Sequence, residues 1–178
     1  LPDHAADAFS VRDHVVIVTG VSGPIGPRIA RLFAANGAHV IARDLPGPQL
    51  DAAAQKLKTF GDVTVAAADL TKPEDLRGLI DAAQQRYGRL NALVCCGAIG
   101  KSDELEYEKD ENFDRLFHTN LRANWLLVRY ARALMEQSGP GSIVAISSIN
   151  GHRAMFPCSL YAATKSGLQA MCRELSVE

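Results

Sequence analysis

A β-branched run that ends in a glycine-rich turn is the feature that most restricts how this chain can fold. Residues 15–19 read Val-Val-Ile-Val-Thr, a composition typical of a strand buried on both faces of a parallel sheet. Gly20, Gly23 and Gly26 follow directly, and glycine allows both a tight turn and a close approach to the backbone. The pattern therefore predicts a buried strand that passes through a tight turn into the next element.

The residues after this turn complete a strand–helix–strand unit. Apolar residues recur at helical spacing over residues 25–36, and Asn36-Gly37 is typical of a helix end. A second apolar run over residues 38–43 leads to Asp44, about 20 positions after the glycines. In such a unit the helix N-terminus binds a pyrophosphate, and the acid accepts hydrogen bonds from ribose hydroxyls. The segment therefore predicts a dinucleotide site.

Strands and helices alternate along the rest of the chain. We expect strands near residues 14–19, 38–43, 63–68, 90–96 and 142–147, and helices near residues 25–36, 48–59, 73–87, 111–137 and 158–177. This alternation predicts an α/β fold, a doubly wound parallel sheet of the Rossmann type with right-handed crossovers. The expected strand order is 3-2-1-4-5, which places a cofactor between the first and fourth strands, where the order reverses.

Length and charge favour a single domain that acts on small molecules. The 178 residues suit one domain over residues 11–178, preceded by a loose leader over residues 1–10. The net charge is -1 and no basic block is present, which argues against nucleic-acid binding. No apolar run reaches the ~20 residues that cross a bilayer, so we expect no membrane partner. The four cysteines lack the paired spacing of a zinc site, so we expect no metal, reduced thiols and a cytoplasmic location.

A serine, a tyrosine and a lysine near the end of the chain form the clearest catalytic pattern. Tyr161 and Lys165 lie four residues apart, so on a helix they share one face. A phenol normally loses its proton near pH ~10, and an ammonium group beside it favours the phenolate and lowers that pKa. Ser148 ends an apolar run thirteen residues earlier and could hold a substrate oxygen. Together the three side chains could move a proton on or off a carbonyl or alcohol oxygen.

From about Val11 to the last residue, the chain resembles the classical short-chain dehydrogenase/reductase (SDR) family. A Tyr-x-x-x-Lys pair alone is common on exposed helix faces, but here it accompanies several family motifs in the family's order. The motifs are the glycine turn from Thr19 to Gly26, Asp69 after the third strand, Asn120 in a long helix, and the Ser148, Tyr161 and Lys165 trio.

The resemblance implies which residues form the site. Tyr161 would act as general acid and base, Lys165 would lower its pKa and hold the nicotinamide ribose, and Ser148 would orient the substrate oxygen. Asn120 would hold a water that relays protons to Lys165, although an interior asparagine is usually just solvated or bonded to the backbone. Asp69 would contact the adenine or cap the end of its strand. The catalytic residues are thus Asn120, Ser148, Tyr161 and Lys165, and the cofactor-binding residues are Gly20, Ser22, Gly23, Ile25, Gly26, Asp44, Asp69, Leu70, Gly97, Tyr161 and Lys165.

The implied activity is hydride transfer between a nicotinamide cofactor and a small-molecule alcohol or carbonyl substrate, in a homo-oligomer that is a dimer or a tetramer. Asp44 predicts NAD, because a carboxylate accepts hydrogen bonds from ribose hydroxyls and repels the 2′-phosphate of NADP. Arg43 beside it could pair with that phosphate, so NADP stays as the less favoured cofactor.

Two positions in the cofactor region differ from the family pattern. Pro24 stands where the family has its middle glycine, and with Pro27 it removes two backbone donors from the turn that holds the pyrophosphate. The family's Asn-Asn-Ala-Gly reads Cys95-Cys96-Gly97-Ala98 here, so the loop lacks two amide side chains that would stabilise it. These differences favour an alternative function, a catalytically weak relative that serves as a nucleotide-binding or scaffold subunit.

The end of the chain is a third difference. The family continues with two further strands and a substrate-covering segment, which would lie beyond Glu178. The strand over residues 142–147 would then lie at an open edge of the sheet, and bare parallel edges are uncommon. Either further residues or a partner would cover that edge, and we favour further residues.

Overall fold

The five predicted strands form one parallel sheet with the predicted order, β3-β2-β1-β4-β5, which confirms the doubly wound α/β fold. The structure, a computed structural model, describes residues 9–100 and 103–177, so most of the predicted leader over residues 1–10 lies outside the described residues. Each strand begins and ends within two residues of its predicted bounds. The strands are β1 (Val15–Thr19), β2 (His39–Asp44), β3 (Val63–Ala67), β4 (Ala92–Cys95) and β5 (Ser142–Ala145).

Helices connect the strands and cover both faces of the sheet. Prolines lie in the first turns of three helices, where a missing N–H breaks no helical hydrogen bond. None of the described helices combines the length and the apolar character needed to cross a membrane. The helices are α1 (Gly26–Ala35), α2 (Pro48–Leu57), α3 (Pro73–Tyr87), α4 (Asp110–Phe117), α5 (Ala123–Ser138) and α6 (Ser159–Leu175).

The prediction of a single helix over residues 111–137 is wrong in one respect. A π-helical turn, His118–Arg122, separates α4 from α5. Asn120 lies fully buried in this turn, and its side chain forms hydrogen bonds outside the helix. Asn124 donates its side-chain N–H to the Asn120 carbonyl. These contacts satisfy polar groups where the regular helical ladder is interrupted, and such turns occur often at functional sites.

The two faces of β1 belong to separate hydrophobic clusters, and every residue of this strand is buried. Val15 and Ile17 pack in the cluster under α3 and α5, whereas Val16 and Val18 pack in the cluster that α1 and α2 cover. After β1 the chain turns toward one face of the sheet, and after β4 it turns toward the other face. A crevice therefore opens at the carboxyl ends of these two neighbouring strands, where open α/β sheets bind ligands.

β5 lies at one edge of the sheet, as predicted, and among the described residues it pairs with β4 alone. Ile143 is 43% exposed and Val144 is 48% exposed, which is unusual for apolar residues of a parallel strand. A short 3-10 helix, Ile149–Gly151, follows the strand and packs against α6. Ser148 therefore lies in a connection that leaves an edge strand.

Candidate cofactor and catalytic site

A cavity of about 450 Å³ opens at the carboxyl ends of β1 and β4. Its size falls in the range of small-molecule and cofactor sites, roughly 300–1,000 Å³. It lies at the point where the strand order reverses, as the sequence predicted. Seven of the residues predicted to bind a cofactor line this cleft: Gly20, Gly23, Ile25, Asp44, Asp69, Leu70 and Gly97.

Glycines shape the floor of the cleft because backbone segments approach one another too closely for side chains. Gly20 has φ +76°, and a Cβ there would lie 2.6 Å from the backbone of Gly97. Gly26 does not line the cleft, but a Cβ at this position would collide with the Gly20 carbonyl. Gly26 thus brings α1 close to the turn, and the glycines form a cradle that a dinucleotide backbone fits.

Asp44 is held at the end of β2 by two backbone donors. The Ser22 N–H donates to Asp44 Oδ2 at 2.7 Å, and the Leu45 N–H donates to Oδ1 at 2.8 Å. Each oxygen keeps lone-pair capacity for a ribose hydroxyl. Ser22 itself lies outside the cleft lining, and its buried hydroxyl has no hydrogen-bond partner among the described residues. The buried Nε of Arg43 also lacks a partner within this part of the chain.

Thr19 stabilises the turn after β4, a role that the sequence did not reveal. Its side chain is 1% exposed, and its Oγ1 accepts the N–H groups of Cys96 and Gly97 at 3.1 Å each. This hydroxyl supplies hydrogen bonds to a loop that lacks the family's amide side chains. A polar residue at the end of an apolar strand was the available signal, but its partners lie 77 and 78 residues away.

The start of α1 offers fewer free donors than a typical pyrophosphate site. Pro24 lines the cleft and is exposed, and neither it nor Pro27 has an N–H group. Burial raises the pKa of Cys96, and the charge of Lys165 and the backbone N–H of Gly26 offset the rise only in part. The thiol is therefore neutral at physiological pH.

Asp69 lines the cleft and stabilises the turn after β3, so the structure shows the strand-end role that the sequence left open, and the adenine contact stays a prediction. Its Oδ1 accepts the Thr71 N–H at 2.9 Å and the Thr71 hydroxyl at 2.8 Å. Burial alone raises the pKa of Asp69, but the hydrogen bonds from Thr71 and the charge of Lys72 outweigh it and lower the pKa overall. The carboxylate is therefore ionised in a position beside the cleft.

Asn120 joins the loop after β4 to α6. Its Oδ1 accepts the Ile99 N–H at 2.9 Å, and its Nδ2 donates to the Ile99 carbonyl at 2.8 Å and to Thr164 Oγ1 at 3.2 Å. The side chain is fully buried, so it is not solvated, and it bonds to the Ile99 backbone, which was the other alternative for an interior asparagine. Thr164, which the sequence did not single out, is also buried and lies beside Lys165 in the chain.

Lys165 is buried on α6 and lies close to Tyr161. It is 3% exposed, its Nζ donates to the Ile146 carbonyl at 2.7 Å, and this nitrogen lies 5.8 Å from the centre of the Tyr161 ring. Burial lowers the pKa of Lys165, and the electrostatic effect of Cys96 raises it by a smaller amount. The spacing on the helix thus brings the ammonium group and the phenol together, as predicted.

Ser148 lies at the start of the 3-10 helix, on the segment that joins β5 to α6. Its hydroxyl accepts the Asn150 N–H at 3.2 Å. Tyr161, Lys165 and Ser148 do not line the cleft, but Cys96, which does, lies near enough to Lys165 to affect its pKa. The tyrosine ring also lies near the backbone of Gly100, in the loop after β4. The predicted catalytic residues therefore lie next to the predicted cofactor-binding residues that line the cleft.

Comparison with known proteins places the chain in a family. A family profile described as "short chain dehydrogenase" matches residues 14–178 of this chain. The chain belongs to the short-chain dehydrogenase family. An SDR of Rickettsia conorii, named 3-oxoacyl-(acyl-carrier-protein) reductase, is 37% identical over 163 residues, which cover 91% of this chain and 65% of that protein. The chain spans 65–66% of the length of the first curated relatives that it matches.

Solved structures of other SDRs share the fold. A short-chain dehydrogenase from Mycobacterium smegmatis matches with a TM-score of 0.88 and 29% identity, over 94% of this chain and 72% of that one. A metagenomic short-chain oxidoreductase in complex with NADP matches with a TM-score of 0.86 and 28% identity, over 93% of this chain and 76% of that one. The sequence resemblance to the SDR family is thus confirmed.

Proposed function

We propose that this SDR chain transfers a hydride between a nicotinamide cofactor and a small-molecule alcohol or carbonyl compound. The observation that carries the proposal is the buried ammonium group of Lys165 beside the Tyr161 ring, next to a cleft lined by glycines. A tyrosine hydroxyl beside a buried ammonium group is suited to general acid–base catalysis at a substrate oxygen. Proton exchange at the substrate oxygen is what carbonyl reduction or alcohol oxidation requires.

In the proposed mechanism each residue handles the substrate oxygen or supports the group that does. When bound, the nicotinamide supplies or accepts the hydride. The Tyr161 hydroxyl gives its proton to the oxygen during reduction and removes it during oxidation, and the Ser148 hydroxyl orients that oxygen. Lys165 stabilises the negative charge that develops on the Tyr161 oxygen during proton transfer and would also hold the nicotinamide ribose. The Asn120 carbonyl accepts the Asn124 side chain and keeps a second lone pair for a water that relays protons to Lys165.

We propose NAD as the preferred cofactor, on the strength of Asp44. Its ordered carboxylate lines the cleft, where it can accept hydrogen bonds from ribose hydroxyls and repel a 2′-phosphate. The metagenomic relative holds NADP, and Arg43 is the residue here that could favour the same choice. Dissociation constants for NADH and NADPH decide the matter. We expect NADH to bind at least about tenfold more tightly, and tighter NADPH binding would show that Arg43 governs the preference.

The first substrate to test is a 3-oxoacyl thioester. The Rickettsia relative is named for reduction of such a group, and a ketone at the 3-position offers the oxygen that Tyr161 would protonate. Acetoacetyl-CoA is a soluble probe with this chemistry. We also propose that the chain assembles as a dimer or a tetramer, which sedimentation measurements would test.

The decisive experiment replaces Tyr161 by phenylalanine. Tyr161→Phe removes the hydroxyl and keeps the ring, so turnover of acetoacetyl-CoA should fall about 10²–10⁴-fold, the usual contribution of general acid–base catalysis. NADH affinity should stay within about twofold, since the change removes one neutral group. Tyr130→Phe on α5 is the matched control, because its ring packs against Arg77 instead. Substantial turnover by Tyr161→Phe would show that Tyr161 does not transfer the proton.

A second candidate function is a nucleotide-binding or scaffold subunit with weak activity. The two prolines near the start of α1 favour it, because they leave fewer donors for a pyrophosphate. Calorimetric titration with NADH separates the candidates when it is combined with turnover. NADH binding without turnover of any carbonyl probe supports the second function, whereas binding with turnover supports the first.

A further inference from the structure

The segment that carries Ser148 lies in an exposed part of the fold, yet a catalytic hydroxyl must be held in place. We name residues 147–151 the Ser148 loop. It follows β5, whose residues Ile143 and Val144 point to opposite faces and are nearly half exposed, so the described residues cover neither face of this strand fully. The contacts that fix the loop must therefore come from another element.

One glutamine on α6 makes contacts with the start of the loop. Gln169 Nε2 donates to Ser147 Oγ at 2.8 Å and lies 3.5 Å from the Ser148 carbonyl, at the limit of a hydrogen bond. Ser147 Oγ in turn donates to the Lys165 carbonyl at 3.3 Å. A single side chain thus joins the residue before Ser148, and Ser148 itself, to the helix backbone at Lys165.

The end of the loop packs on the same helix. Ser166 Oγ donates to the Gly151 carbonyl at 2.9 Å. A Cβ at Gly151 would lie 2.6 Å from Gln169 Nε2, so the loop backbone and this amide are already in close contact. Gln169 therefore contacts both ends of the Ser148 loop, whereas Ser166 contacts only the last residue.

The position of Gln169 on the helix links the loop to the other catalytic candidates. Tyr161, Lys165 and Gln169 follow one another at intervals of four residues, so they share one face of α6. We propose that Gln169 is a positioning residue that sets the Ser148 hydroxyl relative to Tyr161, an inference that rests on the proposed function. Displacing a reacting group by about 1 Å can cost on the order of 10²-fold in rate.

Hydrogen exchange tests the contact without reference to activity. Gln169→Leu removes the donor at similar size, and Gln85→Leu, at an exposed site on α3, is the matched control. The N–H groups of Asn150 and Gly151 bond to Ser148, so their exchange reports on the loop. We expect exchange at least tenfold faster in Gln169→Leu and unchanged in Gln85→Leu. Equal exchange in the wild type and Gln169→Leu overturns the proposal.

Kinetics test whether the contact matters for the reaction. With acetoacetyl-CoA and NADH, Gln169→Leu should lower kcat about tenfold, while KM, NADH affinity and Tm change little. Ser147→Ala should also lower kcat, and the double variant should lose less than the product of the two single losses, because both changes break the hydrogen bond between these two side chains. Parallel losses of kcat, NADH affinity and Tm would show a general structural role and overturn the proposal.

Wild-type protein that binds NADH without turnover refutes the proposed function instead, and exchange alone then decides the role of Gln169.

Discussion

Replacing Thr19 by valine should destabilise the protein far more than the loss of one surface hydroxyl would. The side chain is 1% exposed, and its Oγ1 accepts the N–H groups of Cys96 and Gly97. Valine has the same shape but no acceptor, so both N–H groups lose their partner. An unpaired buried donor costs about 1–3 kcal/mol. The Cys96 N–H is only partly buried and water can reach it, so we expect a total loss of roughly 2–3 kcal/mol.

Urea unfolding followed by circular dichroism measures this loss. For a chain of this size 1 kcal/mol shifts Tm by about 2–4 °C, so Tm should fall by roughly 4–12 °C. Thr19→Ser is the matched control, because it keeps the hydroxyl and removes one methyl group, at a cost of about 1 kcal/mol. NADH affinity should also fall in Thr19→Val, since Gly97 lines the cleft. If Thr19→Val is no less stable than Thr19→Ser, the two hydrogen bonds do not hold the turn after β4.

Two further changes test the cleft and the opposite end of the sheet. Pro24→Gly restores an N–H at the mouth of the cleft, so NADH affinity should rise about 2–12-fold, the equivalent of a net 0.5–1.5 kcal/mol hydrogen bond, with a small loss of Tm; unchanged or weaker affinity would show that the turn already works through Gly23. Burial raises the pKa of Asp62, but hydrogen bonds from His39 and Tyr87 and the charge of Arg86 outweigh it and lower the pKa overall. The stability that Asp62 contributes is therefore present above its unfolded pKa, near pH ~4, and is lost as pH falls through its lower folded value. Urea unfolding between pH 6 and pH 2.5 should show a weaker pH dependence in Asp62→Asn than in the wild type, and equal slopes would contradict this assignment.

The strands and the sheet order could be predicted because their signals are local. Each strand is a short apolar run between turn residues, and each crossover has the same hand in nearly all known α/β proteins. The order 3-2-1-4-5 is the one typical of the dinucleotide-binding fold that the glycine turn and Asp44 indicate. The position of the cleft follows in turn from the order, so Gly20, Asp44 and Gly97 could be assigned to it from the sequence alone.

The π-helical turn at residues 118–122 could not be predicted in the same way. One extra residue in a turn leaves the apolar spacing on either side almost unchanged, so the segment resembles one long helix. What distinguishes the turn is the burial of Asn120 and its hydrogen bonds to Ile99. Those bonds depend on where the loop after β4 lies.

The sequence by itself determined the family, the strand order and the catalytic pattern of Tyr161 and Lys165, because four-residue spacing on a helix places two side chains on one face. Only the tertiary structure decided what holds these groups in place. Thr19 meets its partners 77 and 78 residues further on, and Gln169 reaches back 22 residues to Ser147. Contacts between segments so far apart arise from the packing of strands and helices, which no local pattern of residues encodes.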